Sequence, residues 1–233
     1  MSDTVEIDLD SIILRAGAHE SRDEGMCVME AVAFVAGARH SDHPPCASVA
    51  IGNFLRTWND HIGDDETRTR LLRPLVPRIV KTKAPAAIEE QRRWLAFDWL
   101  LRVYVPAWLD LVPSLASHAV ALRGLSPVRS LTAARAASPI CQAARSAAAA
   151  AGAAAGDAAW AAAWAAAGAA AWAAAAAAAR DAARDAAWDA AWDAAGDAAW
   201  AAAGDAARAA LQPTVSQLQA SAIDLVERMI ALS

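Results

Sequence analysis

No stretch of this chain shows the alternating apolar and polar pattern, rich in β-branched and aromatic residues, that a half-buried strand requires. Missing too are a phosphate loop, a GxGxxG turn, a GxSxG elbow and an HExxH pair. No nucleotide, dinucleotide, serine-hydrolase or zincin signature is therefore present. Cysteine is scarce: Cys27, Cys46 and Cys141 are odd in number and form no CxxC pair, which suits a reducing cytoplasm better than a disulfide framework. The first residues, Met1 to Asp10, are acidic and lack the basic-then-apolar order of a secretory leader. Basic charge is outweighed, with 21 Lys and Arg against 26 Asp and Glu and a net charge of −5, which argues against nucleic acid as a partner.

What is abundant is alanine. From Ala143 to Leu211 most residues are Ala, and every fourth position from Gly152 carries something else: Gly152, Gly156, Trp160, Trp164, Gly168, Trp172, Arg180, Arg184, Trp188, Trp192, Gly196, Trp200, Gly204 and Arg208, with Ala176 the one blank. The next position is acidic at Asp157, Asp181, Asp185, Asp189, Asp193, Asp197 and Asp205, so the unit is (Trp/Gly/Arg)-(Asp/Ala)-Ala-Ala. Alanine is the strongest helix former, and no proline stands between Pro139 and Pro213, so the tetrads predict helix. Four residues overshoot one helical turn by about 40°, so the large side chains wind around the helix instead of forming one stripe. A single unbroken helix of this length would run about 100 Å, against about 45 Å for a compact chain of this size. Two or three helices, broken at Gly156-Asp157, Gly196-Asp197 or Gly204-Asp205, fit better. In such a layer Ala and Gly let helix axes approach, and Trp fills the wider gaps. The uncharged run Ala158 to Ala179 is long enough to span a bilayer, but it contains no Leu, Ile, Val or Phe and sets Trp164 mid-segment. A membrane span is disfavoured on both counts.

The rest of the chain is also helical in pattern. Helices are predicted over Asp8–Ala18, over Met26–Ala36 with Gly37 closing it, and over Ala47–Asn59. Asp64 or Asp65 can cap a fourth element that Pro74 and Pro77 must interrupt. Lys81 to Pro85 reads as a linker. An amphipathic helix follows, with Ile88, Leu95, Trp99 and Val103 on its apolar side and Arg92, Arg93 and Arg102 on other sides, until Pro106 bends or ends it. Shorter helices are predicted over Ser114–Arg123 and Pro127–Ala137, and a C-terminal helix from Thr214 carries Leu218, Leu225 and Met229 on one face. The expected architecture is an all-α multi-helix bundle: a helical head over residues 1–83, then a region 84–233 holding the tetrads (143–211) and an amphipathic C-terminal helix (214–231).

Reactive side chains concentrate between His19 and His61. Cys27 and Glu30 lie three apart, hence on one face of a helix. His40, Asp42, His43 and Cys46 crowd the loop that follows. Cys, His and carboxylate groups are zinc ligands, so Cys27, His40, His43 and Cys46 form a candidate metal set and Cys27, Glu30 and His43 a candidate catalytic one. The spacing matches no established zinc signature, and no Gly-rich oxyanion turn accompanies a Cys27–His43 pair. The competing reading is structural, with buried cysteines, Asp42 as a cap and His43-Pro44 shaping a turn.

The runs Met26-Cys27-Val28-Met29-Glu30, Ala36-Gly37, Asp42-His43-Pro44-Pro45-Cys46 and Trp58-Asn59-Asp60, with Leu211-Gln212-Pro213-Thr214 after the Ala/Trp tract, resemble a group of uncharacterised proteins of actinobacteria and their phages. That resemblance spans most of the chain and implies no activity. Residues Arg93–Ala151 are also similar to immunity proteins of bacterial polymorphic toxin systems, which join a Trp-bearing amphipathic helix to an Ala-rich helical tract. Two functional readings follow. The leading one is a non-enzymatic helical module of immunity or anti-defence type, cytoplasmic and without a cofactor. It would bind another protein through an acidic helical surface, with self-association compatible. The alternative is a small metal-dependent or cysteine-based enzyme centred on Cys27, Glu30, His43 and Cys46, with zinc as the metal.

Overall fold

The computed structural model describes residues 8–155 and 205–232. Most of these are helical, and no strand occurs among them. The protein is all-α. Two compact units are formed, one by residues 1–92 with 226–233 and the other by residues 93–225. Most of the tetrad region, residues 156–204, lies outside the described residues, and with it the number of helices it forms and the uncharged run Ala158–Ala179. No helix among the described residues is long and apolar enough to cross a membrane.

The first predicted helix is not one. After Asp8 accepts the Asp10 N–H, a single 3₁₀ turn, Leu9–Ser11, gives way to extended chain. Ile12 and Leu14 are buried there while Ile13 and Arg15 face out, a period of two. Leu14 N–H donates to Thr69 Oγ1 at 2.9 Å and Arg15 N–H to the Met26 carbonyl at 2.9 Å, so partners far along the chain replace the intrahelical bonds.

Helix α1, Val28–Val35, is apolar on nearly every side and stops where Gly37 takes φ +66°, the left-handed turn that ends many helices. Helix α2, Val49–His61, starts at Ser48, whose hydroxyl accepts the Ile51 N–H. Helix α3, Asp65–Leu72, starts at Asp64, which accepts from Thr67. Pro74 and Pro77 then divide the chain into a 3₁₀ turn, Arg73–Leu75, and the short helix α4, Val76–Ile79. Leu14, Val32, Ile51, Leu55, Val76 and Met229 are all fully inaccessible and form the core of this unit.

Helix α5, Ala86–Trp99, departs from its sequence pattern: of the expected apolar side Trp99 is buried, while Ile88, Leu95 and Val103 are half-buried. Arg92 is inside, only 2% exposed, while Arg93 faces out. The buried positions are Glu89, Arg92, Ala96, Phe97 and Trp99, so an ion pair heads what is otherwise an ordinary apolar stripe. Pro106 has no N–H to give and crowds the carbonyl four residues before it; the helix widens to a π-turn over Leu100–Tyr104 and resumes as α6, Val105–Leu109. In this second unit Trp99 and Tyr104 pack at 5.4 Å between ring centroids, and the Trp99 indole N–H donates to Ser221 Oγ at 3.0 Å.

A 3₁₀ turn, Pro113–Leu115, leads into α7, Ala116–Arg123. Helix α8, Leu131–Ala155, then runs through Pro139 instead of ending before it. Its buried face is Ala134, Ala137, Cys141, Ala144 and Ala148, an alternation of threes and fours that keeps small side chains on one seam. The last helix, α9, Asp205–Ile230, likewise contains Pro213 and begins earlier than Thr214. Strong alanine propensity on the N-terminal side of each proline offsets the lost hydrogen bond. As the pattern predicts, Leu218, Ala222, Leu225 and Met229 are buried along one face of α9.

Arg92 offers a direct test of how unit 1 holds its C-terminal turns. Its Nε donates to the Met229 carbonyl at 2.8 Å, and its two terminal nitrogens donate to the carbonyls of Thr82 (2.6 Å) and Leu232 (2.7 Å) and to Glu89 Oε1 (2.9 Å). Arg92→Met strands Glu89 as an unpaired buried carboxylate and should cost about 3–5 kcal/mol in urea unfolding. The neighbouring Arg93→Met, at the surface, should stay within about 0.5 kcal/mol of the parent. Equal stabilities for the two variants would remove Arg92 from its central place.

Candidate functional site

Glu30 stands at the third position of α1, with Cys27 as the residue before the helix. A helix start leaves backbone N–H groups without partners, and a glutamate at this position can reach back to one of them. Glu30 does so: its Oε2 accepts the Cys27 N–H at 2.7 Å. The same carboxylate accepts two further bonds from the loop before the helix, from His19 N–H to Oε1 at 2.8 Å and from His19 Nδ1 to Oε2 at 2.9 Å. His40 closes the group from the other side. Its Nε2 sits 3.0 Å from the His19 carbonyl and 3.7 Å from Glu30 Oε1.

The loop reaches this position because Gly25 adopts φ +142°; a Cβ there would meet Arg15 Cδ at 2.7 Å and His19 Nε2 at 2.9 Å. Asn59, fully buried on α2, completes the arrangement. Its Oδ1 accepts the Val28 N–H at 3.1 Å and its Nδ2 donates to the Arg15 carbonyl at 2.8 Å. Asp60 accepts the Gly17 N–H at 2.8 Å, and Arg68 donates its Nε to the Asn59 carbonyl at 2.7 Å. Sequence reading passed over Asn59 and Arg68, since a single Asn or Arg in a helical pattern carries no sign that it will be buried.

Electrostatics separates the candidates. Burial pushes the Cys27 thiol up to about 12, and the Glu30 carboxylate beside it adds to the shift, so the group is a protonated thiol at neutral pH. For Glu30, burial opposes ionisation, but the bonds from His19 and Cys27 together outweigh it and hold the carboxyl below its usual range. The cluster is thus a buried anion gripped by donors, next to a sulfur that is not a thiolate.

The other predicted residues lie apart from it. His43, 66% exposed, pairs with Asp42 at 2.7 Å, and Arg56 donates to the Asp42 carbonyl at 3.0 Å. Cys46 is half-buried, and its carbonyl accepts the Lys83 N–H at 3.1 Å. His61 caps its own helix turn, Nδ1 lying 2.7 Å from the Thr57 carbonyl. Of the residues singled out from the sequence, the fold brings Cys27, Glu30 and His40 together, with His19, and leaves His43 and Cys46 outside. Among the described residues no three His, Cys, Asp or Glu groups are arranged to hold a metal ion.

Two measurements check this account. A carboxyl held low in the folded state contributes stability that is present above the ordinary carboxylate pKa of about 4.3 and is lost as pH falls through the lower folded value. Glu30→Gln should therefore be less stable than the parent at pH 7 by about 1–3 kcal/mol, with the gap shrinking as pH drops below about 4.5. A gap constant from pH 7 to pH 3 would contradict the ionised, gripped carboxylate. Burial also pushes the Cys141 thiol up to about 11. With an aromatic disulfide reagent at pH 8, Cys46 should react first, and Cys27 and Cys141 only at the rate of unfolding. Fast labelling of Cys27 in the folded protein would show its thiol to be accessible and ionised.

No protein-family model matches the chain, and no curated protein or solved structure compared with it matches either.

Proposed function

We propose that this protein is a non-enzymatic helical interaction module, of immunity or anti-defence type, that engages another protein through the acidic surface of its tetrad region. The observation that carries the reading is where the reactive side chains are spent. Glu30, the acid at the centre of the His19–His40 cluster, accepts three bonds, from the Cys27 and His19 N–H groups and the His19 ring. Cys27, the one candidate nucleophile beside it, is held as a thiol. This group works as a clamp on the start of α1. The sequence that remains is the repetitive tract, in which Asp181, Asp185, Asp189, Asp193 and Asp197 recur every four residues. A row of carboxylates at helical spacing suits a partner with a basic surface, which it would steer and orient more than grip. Three cysteines without disulfides accord with a reducing compartment, and we place the protein in the cytoplasm.

The test uses the full chain, recovered after cross-linking from the cells that make it, beside a variant carrying Asn at those five Asp positions. The expected result is one stoichiometric partner with a basic surface, released at roughly 0.5 M salt, where screening shortens to a few ångströms, and missing from the variant. No partner, together with stoichiometric zinc or iron that a Cys27→Ala/His43→Ala double variant loses, would replace this reading with the metal-dependent enzyme.

A further inference from the structure

Charge along the second half of the chain is segregated. No Asp or Glu occurs from Leu111 to Gly156, a span that holds Arg123, Arg129, Arg135 and Arg145. From Asp157 to Asp205 the balance reverses, with seven Asp against Arg180 and Arg184. Within the described residues only the first of the four arginines is matched: Arg123 pairs with Asp110. Arg129, Arg135 and Arg145 are exposed and make no ion pair among the described residues.

Helix α8 uses one side for packing, the Ala134–Ala137–Cys141–Ala144–Ala148 seam. At about 100° per residue, Arg135, Gln142, Arg145 and Ala149 fall on a second stripe, roughly 60–150° around from that seam. Ser138 and Gln142, both uncharged, stand between its cations, and small Ala149 follows them. Nearby in sequence, Val120 on α7 is 66% exposed and Leu131 at the start of α8 is 38% exposed. The chemistry that fits is an acidic, alanine-rich segment with apolar side chains to contribute.

We propose that this second stripe of α8 is the docking surface for the chain's own Asp- and Trp-bearing tetrads, Asp181–Asp197. Complementary charge is the first argument. Length is the second: residues 156–204 leave α8 after Ala155 and rejoin the described chain at Asp205, enough residues to run out and back along a 25-residue helix. Proximity is the third, because tethering at both ends gives an effective concentration in the millimolar range, which a foreign acidic partner or a second copy would have to exceed. Exposed ion pairs are individually weak; the arginines set register, and Trp188 and Trp192 supply the apolar contact. The inference does not rest on the interaction reading above; both draw on the same carboxylates, so a partner would have to displace the tetrads from α8.

The experiment is done on the full chain. Arg135→Glu/Arg145→Glu should raise acrylamide quenching of tryptophan fluorescence about twofold and weaken near-ultraviolet dichroism, with far-ultraviolet helicity kept and the protein still monomeric in sedimentation. Replacing Asp181, Asp185, Asp189, Asp193 and Asp197 with Arg in that background should restore both signals. Raising salt to about 1 M should mimic the arginine variant in the parent, since screening acts on the same contacts. Should the charge-reversed variant not fold, Arg135→Gln/Arg145→Gln and the salt titration of the parent carry the same comparison. Quenching indifferent to both substitution and salt overturns the proposal. So does a concentration-dependent dimer that the arginine variant dissociates, which would make a second copy the occupant.

Discussion

A guanidinium enclosed by protein must find a partner for each of its donors, and Arg92 finds them in three places at once. It reaches the Met229 and Leu232 carbonyls at the end of α9, the Thr82 carbonyl, and Glu89 on its own helix. The last carbonyls of any helix lack intrahelical partners and carry the negative end of its dipole, so a cation there is doubly favoured. Glu89 is engaged in turn: its Oε2 accepts the Ser48 hydroxyl at 2.8 Å and the Ala50 N–H at 3.0 Å, a carboxylate at the start of α2. One ion pair thus serves the positive end of one helix and the negative end of another. Removal of either member would leave the other charged and buried, which is why so much of unit 1 depends on it.

The same logic recurs at α1. Glu30, Asn59 and Arg68 are all buried, and each is bonded to main-chain groups that helix ends and extended chain leave open. The extended segment Ile12–Arg15 is held by such bonds and by the burial of alternate residues, with no sheet to support it. Unit 1 is accordingly stapled by long-range side-chain-to-backbone bonds. A buried network of this kind is costly when broken and specific when complete. It also accounts for the His19–Glu30–His40 group, in which the Glu30 carboxylate ties the start of α1 to the loop before it.

Helix starts and stops were legible because their causes are local. Asp64 caps the helix it precedes, Gly37 ends α1, and the Leu218–Leu225–Met229 face of α9 is buried as its spacing implies, whereas the helix expected from Ala47 begins at Val49 with Ser48 as its cap. The proline positions were half legible: Pro74 and Pro77 divide a helix, whereas Pro106 is absorbed by a π-turn and Pro139 and Pro213 lie within helices. A proline removes one bond, and whether the helix survives depends on the propensity and packing of its neighbours. Of the candidate site, the pairing of Cys27 with Glu30 followed from their spacing, although Cys27 stands before α1 and the contact is a capping bond. The approach of His19 and His40 did not, because it depends on the path of two loops and on the left-handed φ of Gly25.

The amino-acid sequence alone determined that this protein is all-α and where most of its helices begin, because propensity, capping and period act within a few residues. It also determined which side of the last helix is apolar. Tertiary structure decided which polar residues go inside. Pattern reading sends an arginine on an amphipathic helix outward, and Arg92 goes inward because its acceptors, the Met229 and Leu232 carbonyls, lie 137 and 140 residues away in the chain. Tertiary structure likewise drew Ile12–Arg15 into extended form and separated His43 and Cys46 from Cys27. For Arg92 and for Ile12–Arg15 the bonds that settle the outcome join residues distant in sequence, and no local window contains both partners.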